Sequence, residues 1–213
     1  MATVVRAALA ADVPFLADVL CMAGRGHLPR GPWDLAVPDE AERARLLVAL
    51  AGGPYRSWCH RSAFRVAEVG GAAGAALVAF DPGAEDDPTL ARPLGAALES
   101  IGWSAERIGT LAPIFGAYLT CFPEMPAGRW IVENVGTRPD LRRRGLVARL
   151  LDDALEHGRA RGLATAQIAC LIGNEPAQRA YEKAGFRVAE ERKAPAFEAL
   201  LGAPGFSRME VAL

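Results

Sequence analysis

The chain contains few of the residues that build metal centres or disulfide frameworks. Its four cysteines, Cys21, Cys59, Cys121 and Cys170, are scattered along 213 residues without a Cys-x-x-Cys pair, and its three histidines do not cluster. Structural zinc sites bring such ligands together at short spacings, and disulfide-rich domains are typically small and secreted. We therefore expect no metal, reduced thiols and a cytoplasmic location.

Long apolar segments and a surplus of one charge are also missing. No run of residues approaches the roughly 20 apolar positions that cross a bilayer. The N-terminal segment carries an early Asp12 and no clear cleavage site, unlike a signal peptide. The formal net charge of −1 argues against a nucleic-acid-binding surface. We expect neither a membrane nor a nucleic acid as a partner.

The order of predicted elements favours a mixed α/β fold. With 213 residues, 51% of them hydrophobic, the chain can build one large domain or two small ones. Strands are predicted at 3–8, 64–69, 73–80, 130–135, 165–171, 186–191 and 207–211. Helices are predicted at 11–21, 39–51, 94–101, 105–119 and 175–184, and another directly after residue 145. Strands that pair as a hairpin and later alternate with helices predict a mixed sheet covered on both faces.

A basic turn links the fourth predicted strand to the helix that follows it. The turn reads Arg142-Arg143-Arg144-Gly145. The first N–H groups of a helix have no intrahelical acceptor, and the helix dipole adds positive charge there, so this geometry suits a phosphate. A P-loop is excluded because no Gly-Lys-Ser/Thr follows, and a dinucleotide fingerprint is excluded because its other glycines are missing. A solvated basic corner is the alternative interpretation.

A second segment predicts a capped helix that carries one tyrosine. Asn174 is a preferred N-cap residue, and Pro176 fits the first turn, where its missing N–H is harmless. Gly185 ends the helix as a left-handed residue, and Phe186 can pack back onto it. Tyr181 lies on the face with the small residues of this helix, where it can reach a cleft. The alternative is that Tyr181 only fills space in the core.

Together the two segments resemble the acyl-CoA-binding core of the GNAT superfamily of N-acetyltransferases. The loop of that family is Arg/Gln-x-x-Gly-x-Gly/Ala, and here it stands as Arg142-Arg143-Arg144-Gly145-Leu146-Val147, with Val147 in place of the last small residue and Ala148 after it. The resemblance covers roughly residues 130–193. It implies a GNAT-like acyl-CoA N-acyltransferase fold, with a mixed central sheet flanked by helices. We expect a single domain over 1–213 and a helical insertion at 81–128, between the third and fourth strands.

The resemblance also implies acetyl-CoA as the co-substrate, with no metal. The amides of its pantetheine arm are expected to pair with the exposed strand edge from Val135 to Thr137. The cofactor-binding residues that it implies are Val135, Gly136, Thr137, Arg142, Arg143, Arg144, Gly145, Leu146, Val147, Ala148, Asn174 and Tyr181. Tyr181 is the expected catalytic group that protonates the departing sulfur or donates a hydrogen bond to it.

Glu133 is the candidate general base. An amine with a pKa near 10.4 must lose a proton before it attacks at neutral pH. Glu133 precedes the basic turn on the same strand, and regular alternation places it on one side with Val135 and Thr137. The alternative is a partly solvated carboxylate, or a charge that only binds the acceptor.

Aromatic residues in the predicted insertion suggest a role for residues 85–125 in an acceptor pocket or in a homodimer contact. They are Trp103, Phe115, Tyr118 and Phe122, and aromatic side chains anchor both kinds of site. The alternative is that they extend the core. Trp33, His27 and the acidic stretch Glu85-Asp86-Asp87 are further candidates to shape the acceptor site.

The expected function is transfer of an acetyl group to the primary amine of a small molecule. Two alternatives share the same fold: a non-catalytic acyl-CoA-binding or regulatory module, and an enzyme that acts on a protein N-terminus or a lysine side chain. A structural or interaction protein is a third, against which the anion-binding turn counts. The long 81–128 segment favours a closed pocket and therefore a small amine.

Overall fold

The computed structural model describes residues 3–84 and 90–213, and the chain forms a seven-stranded sheet within this part. The strands are β1 (Thr3–Ala7), β2 (Phe64–Val69), β3 (Ala72–Phe80), β4 (Trp130–Thr137), β5 (Thr165–Leu171), β6 (Arg187–Lys193) and β7 (Gly205–Ala212). The helices are α1 (Val13–Arg25), α2 (Pro32–Ala36), α3 (Glu40–Gly52), α4 (Ala91–Ser100), α5 (Ala105–Gly109), α6 (Ala112–Leu119), α7 (Leu146–Ala160), α8 (Glu175–Lys183) and α9 (Pro195–Leu201). The predicted mixed α/β fold is confirmed.

The strands are arranged in the order β1-β2-β3-β4-β5-β7-β6. Neighbouring strands are antiparallel except for the central pair β4 and β5, which is parallel. The turn between β2 and β3 has Gly70 at φ +62° and Gly71 at φ +84°. Positive φ at both central residues is the requirement of the two-residue turn that matches the twist of a hairpin.

Two cores cover the two faces of the sheet. The face that carries Val66 and Val78 packs against α1 and α3, and the face that carries Leu77 packs against α7 and α8. We call these the α1 core and the α7 core. Because both faces are buried, β3 is an almost continuous apolar run instead of an alternating pattern.

β4 separates from β5 halfway along its length. The pairing between the two strands covers only Trp130–Val132, opposite Ala166–Ile168, among the described residues. On its other side, β4 pairs with β3 through a bulge, because the register shifts between Glu133 and Gly136. A bulge bends a strand and increases its twist. The edge of β4 from residue 133 to residue 137 is therefore left without a strand partner on the β5 side.

The bulge also changes the direction of the side chains on β4. Ile131 belongs to the α1 core and Val132 to the α7 core, so regular alternation places Glu133 on the α1 side. The extra residue at Asn134, which has φ +50°, interrupts this alternation, and Val135 packs against the α7 core. The expectation that Glu133 and Val135 leave the strand on the same side is therefore wrong.

In the described part of the chain, three helices, α4 to α6, lie between the third and fourth strands. The sequence predicted one helix over 105–119, but the structure has a break between α5 and α6. Pro113 stands in the first turn of α6, and in a continuous helix its ring would clash with the carbonyl four residues earlier. None of the helices in the described ranges is long and apolar enough to cross a membrane. The assignment of 1–213 as one domain stays a prediction.

Candidate active site

A cavity of about 1350 Å³ lies where β4 leaves β5. Its walls come from the open edge of β4, the first turn of α7, helix α8 and helices α4 and α6. One part, the basic half, contains Arg142, Arg143, Arg179 and Lys183. The other part, the aromatic half, contains Trp33, Trp58, Phe115, Tyr118, Phe122 and Phe206. The cavity therefore offers a cationic region and an apolar region to its ligands.

The start of α7 presents free backbone donors to the basic half. Gly145 is the N-cap residue with φ +75°, and the first N–H to find a helical acceptor is that of Arg149, which donates to the Gly145 carbonyl at 3.2 Å. The N–H groups of the three residues before Arg149 have no intrahelical acceptor. These residues, Leu146, Val147 and Ala148, all line the cavity. A Cβ at Gly145 would meet nothing within 4 Å, so the turn is open to an anion.

The three arginines of the turn do not all face this cavity. Arg142 and Arg143 line it, whereas Arg144 lies in a separate small depression with Thr3, Val69 and Arg149. Of the twelve residues expected to bind the cofactor, the structure thus brings eleven to the cavity and leaves Arg144 outside it. The side chains of consecutive residues in a turn point in different directions, which the motif alone does not reveal.

The open edge of β4 carries an unpaired hydroxyl group. Val135, Gly136 and Thr137 line the cavity along the unpaired edge. The Thr137 Oγ1 atom is buried and has no hydrogen-bond partner in the part of the chain that the structure describes. Buried polar groups normally have a partner, so a ligand with amide groups fits this edge. The cations, the free N–H groups and this edge together fit an acyl-CoA molecule.

Helix α8 forms as its sequence predicts. The Asn174 side chain accepts a hydrogen bond from the Ala177 N–H at 3.4 Å, which confirms the predicted N-cap. Gly185 follows the helix with φ +98°, and the rings of Phe186 and Tyr181 meet edge to face at 6.4 Å between centroids. The cap at one end and the aromatic contact at the other hold Tyr181 in place beside the cavity.

Tyr181 is a buried phenol in the wall of the cavity, with 5% of its surface exposed. Burial raises its pKa above the usual value for tyrosine, and the charges of Cys170 and Glu133 act in the same direction. The hydroxyl therefore stays protonated at any physiological pH. Such a group is suited to donate a hydrogen bond to a developing negative charge.

Glu133 lines the same cavity from β4. Burial raises the pKa of its carboxyl group to about 8, against the opposing effect of the Asn134 backbone N–H. The Glu133 charge also contributes, after burial, to a raised pKa of Tyr118 on α6. A carboxylate whose pKa lies near neutrality is suited to accept a proton. The side chains of Glu133, Tyr118 and Tyr181 thus line the same cavity.

The aromatic candidates of the sequence have different locations. Trp33, Phe115, Tyr118 and Phe122 line the cavity. Trp103 is buried in the α1 core, where its Nε1 atom donates a hydrogen bond to Glu42 at 2.9 Å, so it only extends the core.

The remaining acceptor-site candidates are His27 and the acidic stretch. His27 lies beside Gly173, outside the lining. The stretch Glu85-Asp86-Asp87 lies outside the described residues.

Two aromatic residues of the cavity carry no signal in the sequence. Trp58 lies in the connection between α3 and β2, and Phe206 lies on β7. Each stands far from the basic turn along the chain, and neither belongs to a motif. The stacked rings of Trp58 and Phe122, 6.1 Å apart between centroids, form only when the connection reaches the end of α6. Only the folded structure could identify them.

Several solved structures have the same fold as this chain. One acetyltransferase is 20% identical with a TM-score of 0.69, covering 98% of both chains. An N-acetyltransferase from Staphylococcus aureus Mu50 is 17% identical with a TM-score of 0.68, covering 98% of this chain and 100% of the other. A polyamine N-acetyltransferase from Drosophila melanogaster is 17% identical with a TM-score of 0.56, covering 100% of both chains.

A search of curated proteins found no match. The sequence profile of the acetyltransferase (GNAT) family, however, matches residues 80–186, which is half of the chain. The matched segment contains β4, the basic turn, α7, β5 and α8, which supply much of the cavity lining. This protein therefore belongs to the GNAT family of acetyltransferases.

Proposed function

We propose that this protein transfers the acetyl group of acetyl-CoA to the primary amine of a small molecule, inside the cavity beside β4. The observation that carries the proposal is the presence of Glu133, Tyr181 and the basic turn in the wall of one cavity. Acetyl-CoA, the co-substrate of the family, supplies the acetyl thioester. In the reaction a carbon–nitrogen bond forms, the carbon–sulfur bond breaks and the amine loses a proton.

The basic half is the proposed binding site for the pyrophosphate. Arg142 and Arg143 supply positive charge, and the N–H groups at the start of α7 supply hydrogen bonds without further rearrangement. Thr137 and the unpaired backbone of β4 are the proposed partners of the pantetheine amides, because neither has a partner among the described residues. This division gives the Thr137 hydroxyl and the free backbone groups of β4 and α7 a role in binding the co-substrate.

Glu133 is the proposed general base. A primary ammonium group with a pKa near 10.4 cannot attack until its proton is removed. Glu133 is the one carboxylate among the described residues that line the cavity. Its pKa of about 8 makes the carboxylate a stronger base than an ordinary glutamate. The proton of the amine passes to Glu133, directly or through a water molecule.

Tyr181 is the proposed hydrogen-bond donor to the departing sulfur. A thiol has a pKa near 8.5 and a phenol near 10, so complete proton transfer from tyrosine to a thiolate is uphill. Burial raises the Tyr181 pKa further, which makes the transfer less favourable still. The role that fits this residue is therefore stabilisation of the developing thiolate by a hydrogen bond.

A small amine is the proposed acceptor class. Two proteins with the same fold are described as an agmatine N-acetyltransferase and as a polyamine N-acetyltransferase that forms N-acetylagmatine. At 18% and 17% identity they share the fold with this chain and no more. The wall that α4 and α6 add to the cavity also favours a compact acceptor over a peptide.

The test is calorimetric titration with acetyl-CoA, followed by thiol-release assays with small amines and with peptides bearing a free N-terminus or lysine. We expect acetyl-CoA binding, and acetyl transfer to small amines in preference to peptides. Binding without turnover on any acceptor would instead support a non-catalytic acyl-CoA-binding module. Absence of binding would mean that the basic turn is only a solvated corner.

A further inference from the structure

The aromatic half of the cavity indicates the chemical class of the acceptor, which the family assignment leaves open. Six aromatic side chains line it, although aromatic residues make up only 7% of the chain. The Trp58 and Phe122 rings are stacked at 6.1 Å between centroids and 23° between planes. The Trp33 and Phe115 rings meet edge to face at the same distance.

These rings come from separate parts of the fold and meet around the cavity. Tyr118 on α6 contacts Phe122, which follows the helix, and both contact Phe206 on β7, at 5.7 and 5.8 Å between centroids. Methionines extend the same surface, since Met22 and Met125 also line the cavity. Flat rings and flexible thioethers together form a surface that accepts a planar apolar group.

The charged groups of the cavity are unequally divided. Among the described lining residues there is one carboxylate, Glu133, and there are four cations, Arg142, Arg143, Arg179 and Lys183. Under the proposed function the cations face the phosphates of the co-substrate, and Glu133 faces the amine. A second positive charge on the acceptor would enter an apolar wall in which the described residues supply no counter-ion, which is strongly unfavourable.

We infer that the preferred acceptor is a primary amine with a single positive charge attached to an apolar, aromatic body. The inference rests on the proposed function, because it places the amine of this acceptor at Glu133. The body then lies among Trp58, Tyr118 and Phe122, and its burial provides the binding free energy that a polyamine would obtain from acidic groups. The acceptor class therefore differs from that of the polyamine acetyltransferases with the same fold.

The test compares kcat/KM for 2-phenylethylamine, butylamine, putrescine and spermidine with the full-length protein and saturating acetyl-CoA. We expect 2-phenylethylamine to exceed putrescine and spermidine at least tenfold. In the Phe122→Leu and Trp58→Leu variants, kcat/KM for 2-phenylethylamine should fall about five- to tenfold, mainly through KM, while that for butylamine changes less than twofold. Tyr55→Leu is the matched control, because Tyr55 stacks under Arg92 away from the cavity lining, and it should change neither substrate.

The outcomes separate the inference from the function on which it rests. The inference would be overturned if putrescine or spermidine were the preferred acceptor. It would also be overturned if the two cavity variants lost kcat/KM equally for 2-phenylethylamine and butylamine. Acetyl transfer to small amines would stand in both cases. Turnover with none of the amines would overturn the proposed function and the inference with it. Circular dichroism and acetyl-CoA titration of each variant identify any that is misfolded, and Tyr118→Leu then serves as a third cavity variant.

Discussion

Glu133 on β4 and Tyr181 on α8 line the same cavity, and burial raises the pKa of both side chains. In the free protein at neutral pH, both groups are therefore mainly protonated. A cationic amine that enters the cavity favours the charged form of Glu133, because an opposite charge nearby lowers the pKa of a carboxyl group. Binding of the acceptor and ionisation of the base are thus coupled, and the first predictions concern these two residues.

Replacement of Tyr181 by Phe should lower turnover while leaving the co-substrate bound. We expect kcat to fall about 10²-fold, since positioned proton donors contribute roughly this much or more, and acetyl-CoA affinity to change less than about threefold. Steady-state kinetics with a small amine and calorimetric titration measure the two quantities. The Tyr55→Phe variant is the control for loss of a phenol elsewhere. A turnover equal to that of the wild type would remove Tyr181 from the mechanism.

Replacement of Glu133 by Gln should abolish one limb of the pH profile. A base must be unprotonated to act, so kcat/KM of the wild type should rise with pH up to about 8, where the Glu133 carboxyl ionises. Glu133→Gln should lower kcat/KM roughly 10²-fold or more and remove that ionisation from the profile. The measurement uses an amine whose own pKa is known and corrected for. The same limb in the variant would assign the ionisation to another group.

The raised pKa of Glu133 also predicts a stability effect that does not depend on activity. The folded protein keeps the Glu133 proton up to about pH 8, whereas the unfolded chain releases it near pH 4.3. Stability contributed by the protonated form is present below about pH 4 and is lost as pH rises toward 8. Glu133→Gln avoids this loss, so its advantage over the wild type in free energy of unfolding should grow by roughly 4 kcal/mol between pH 5 and pH 8.5. Denaturant unfolding at both pH values measures the difference, and a constant difference would contradict a carboxyl group that stays protonated in the folded protein.

The arginines of the turn should contribute unequally to acetyl-CoA binding. Arg142→Ala and Arg143→Ala remove cations that line the cavity, and each should weaken binding roughly five- to tenfold, with a smaller loss at high salt. Arg144→Ala is the matched control, because this side chain lies in the separate depression beside Arg149. Calorimetric titration at two ionic strengths measures all three. An equal loss of affinity in all three variants would show that Arg144 contributes to acetyl-CoA binding as much as Arg142 and Arg143 do.

Asn174 should influence catalysis through the helix that it caps. Asn174→Ala removes the acceptor of the Ala177 N–H and should cost about 1 kcal/mol of stability. It should also lower kcat, because Tyr181 lies two turns later on the same helix. Asp39→Ala is the control, since Asp39 caps α3 by accepting from the Glu42 N–H at 2.7 Å. The Asp39→Ala control should lose similar stability and keep its kcat. An equal loss of kcat in both variants would show that loss of a helix cap, and not the position of Tyr181, lowers turnover.

Replacement of Thr137 should test whether the open edge of β4 binds acetyl-CoA. Its buried hydroxyl has no partner among the described residues, so Thr137→Val should leave the free protein as stable as the wild type or slightly more stable. The same change should weaken acetyl-CoA binding about fivefold if the hydroxyl bonds to the co-substrate. Thermal unfolding with and without acetyl-CoA measures both effects. Unchanged affinity would mean that the hydroxyl does not contact the ligand.

The local features of this protein follow from its sequence because each depends on a few neighbouring residues. Asn174 and Gly185 delimit α8 through backbone donors and a left-handed φ, and Gly70-Gly71 forms the hairpin turn. β5 extends over the range that its β-branched and apolar pattern predicts. The basic turn before α7 and the capped helix after β5 were sufficient to predict the family and the fold.

The bulge in β4, the aromatic half of the cavity and the direction of Arg144 were decided only by the tertiary structure. The bulge arises from pairing with β3, so the sequence around Asn134 alone predicts an uninterrupted alternation. Trp58, Phe122 and Phe206 meet through contacts between segments that are distant along the chain. The pKa of Glu133 has the same origin, because the burial that raises it is a property of the folded chain and not of its neighbours in sequence.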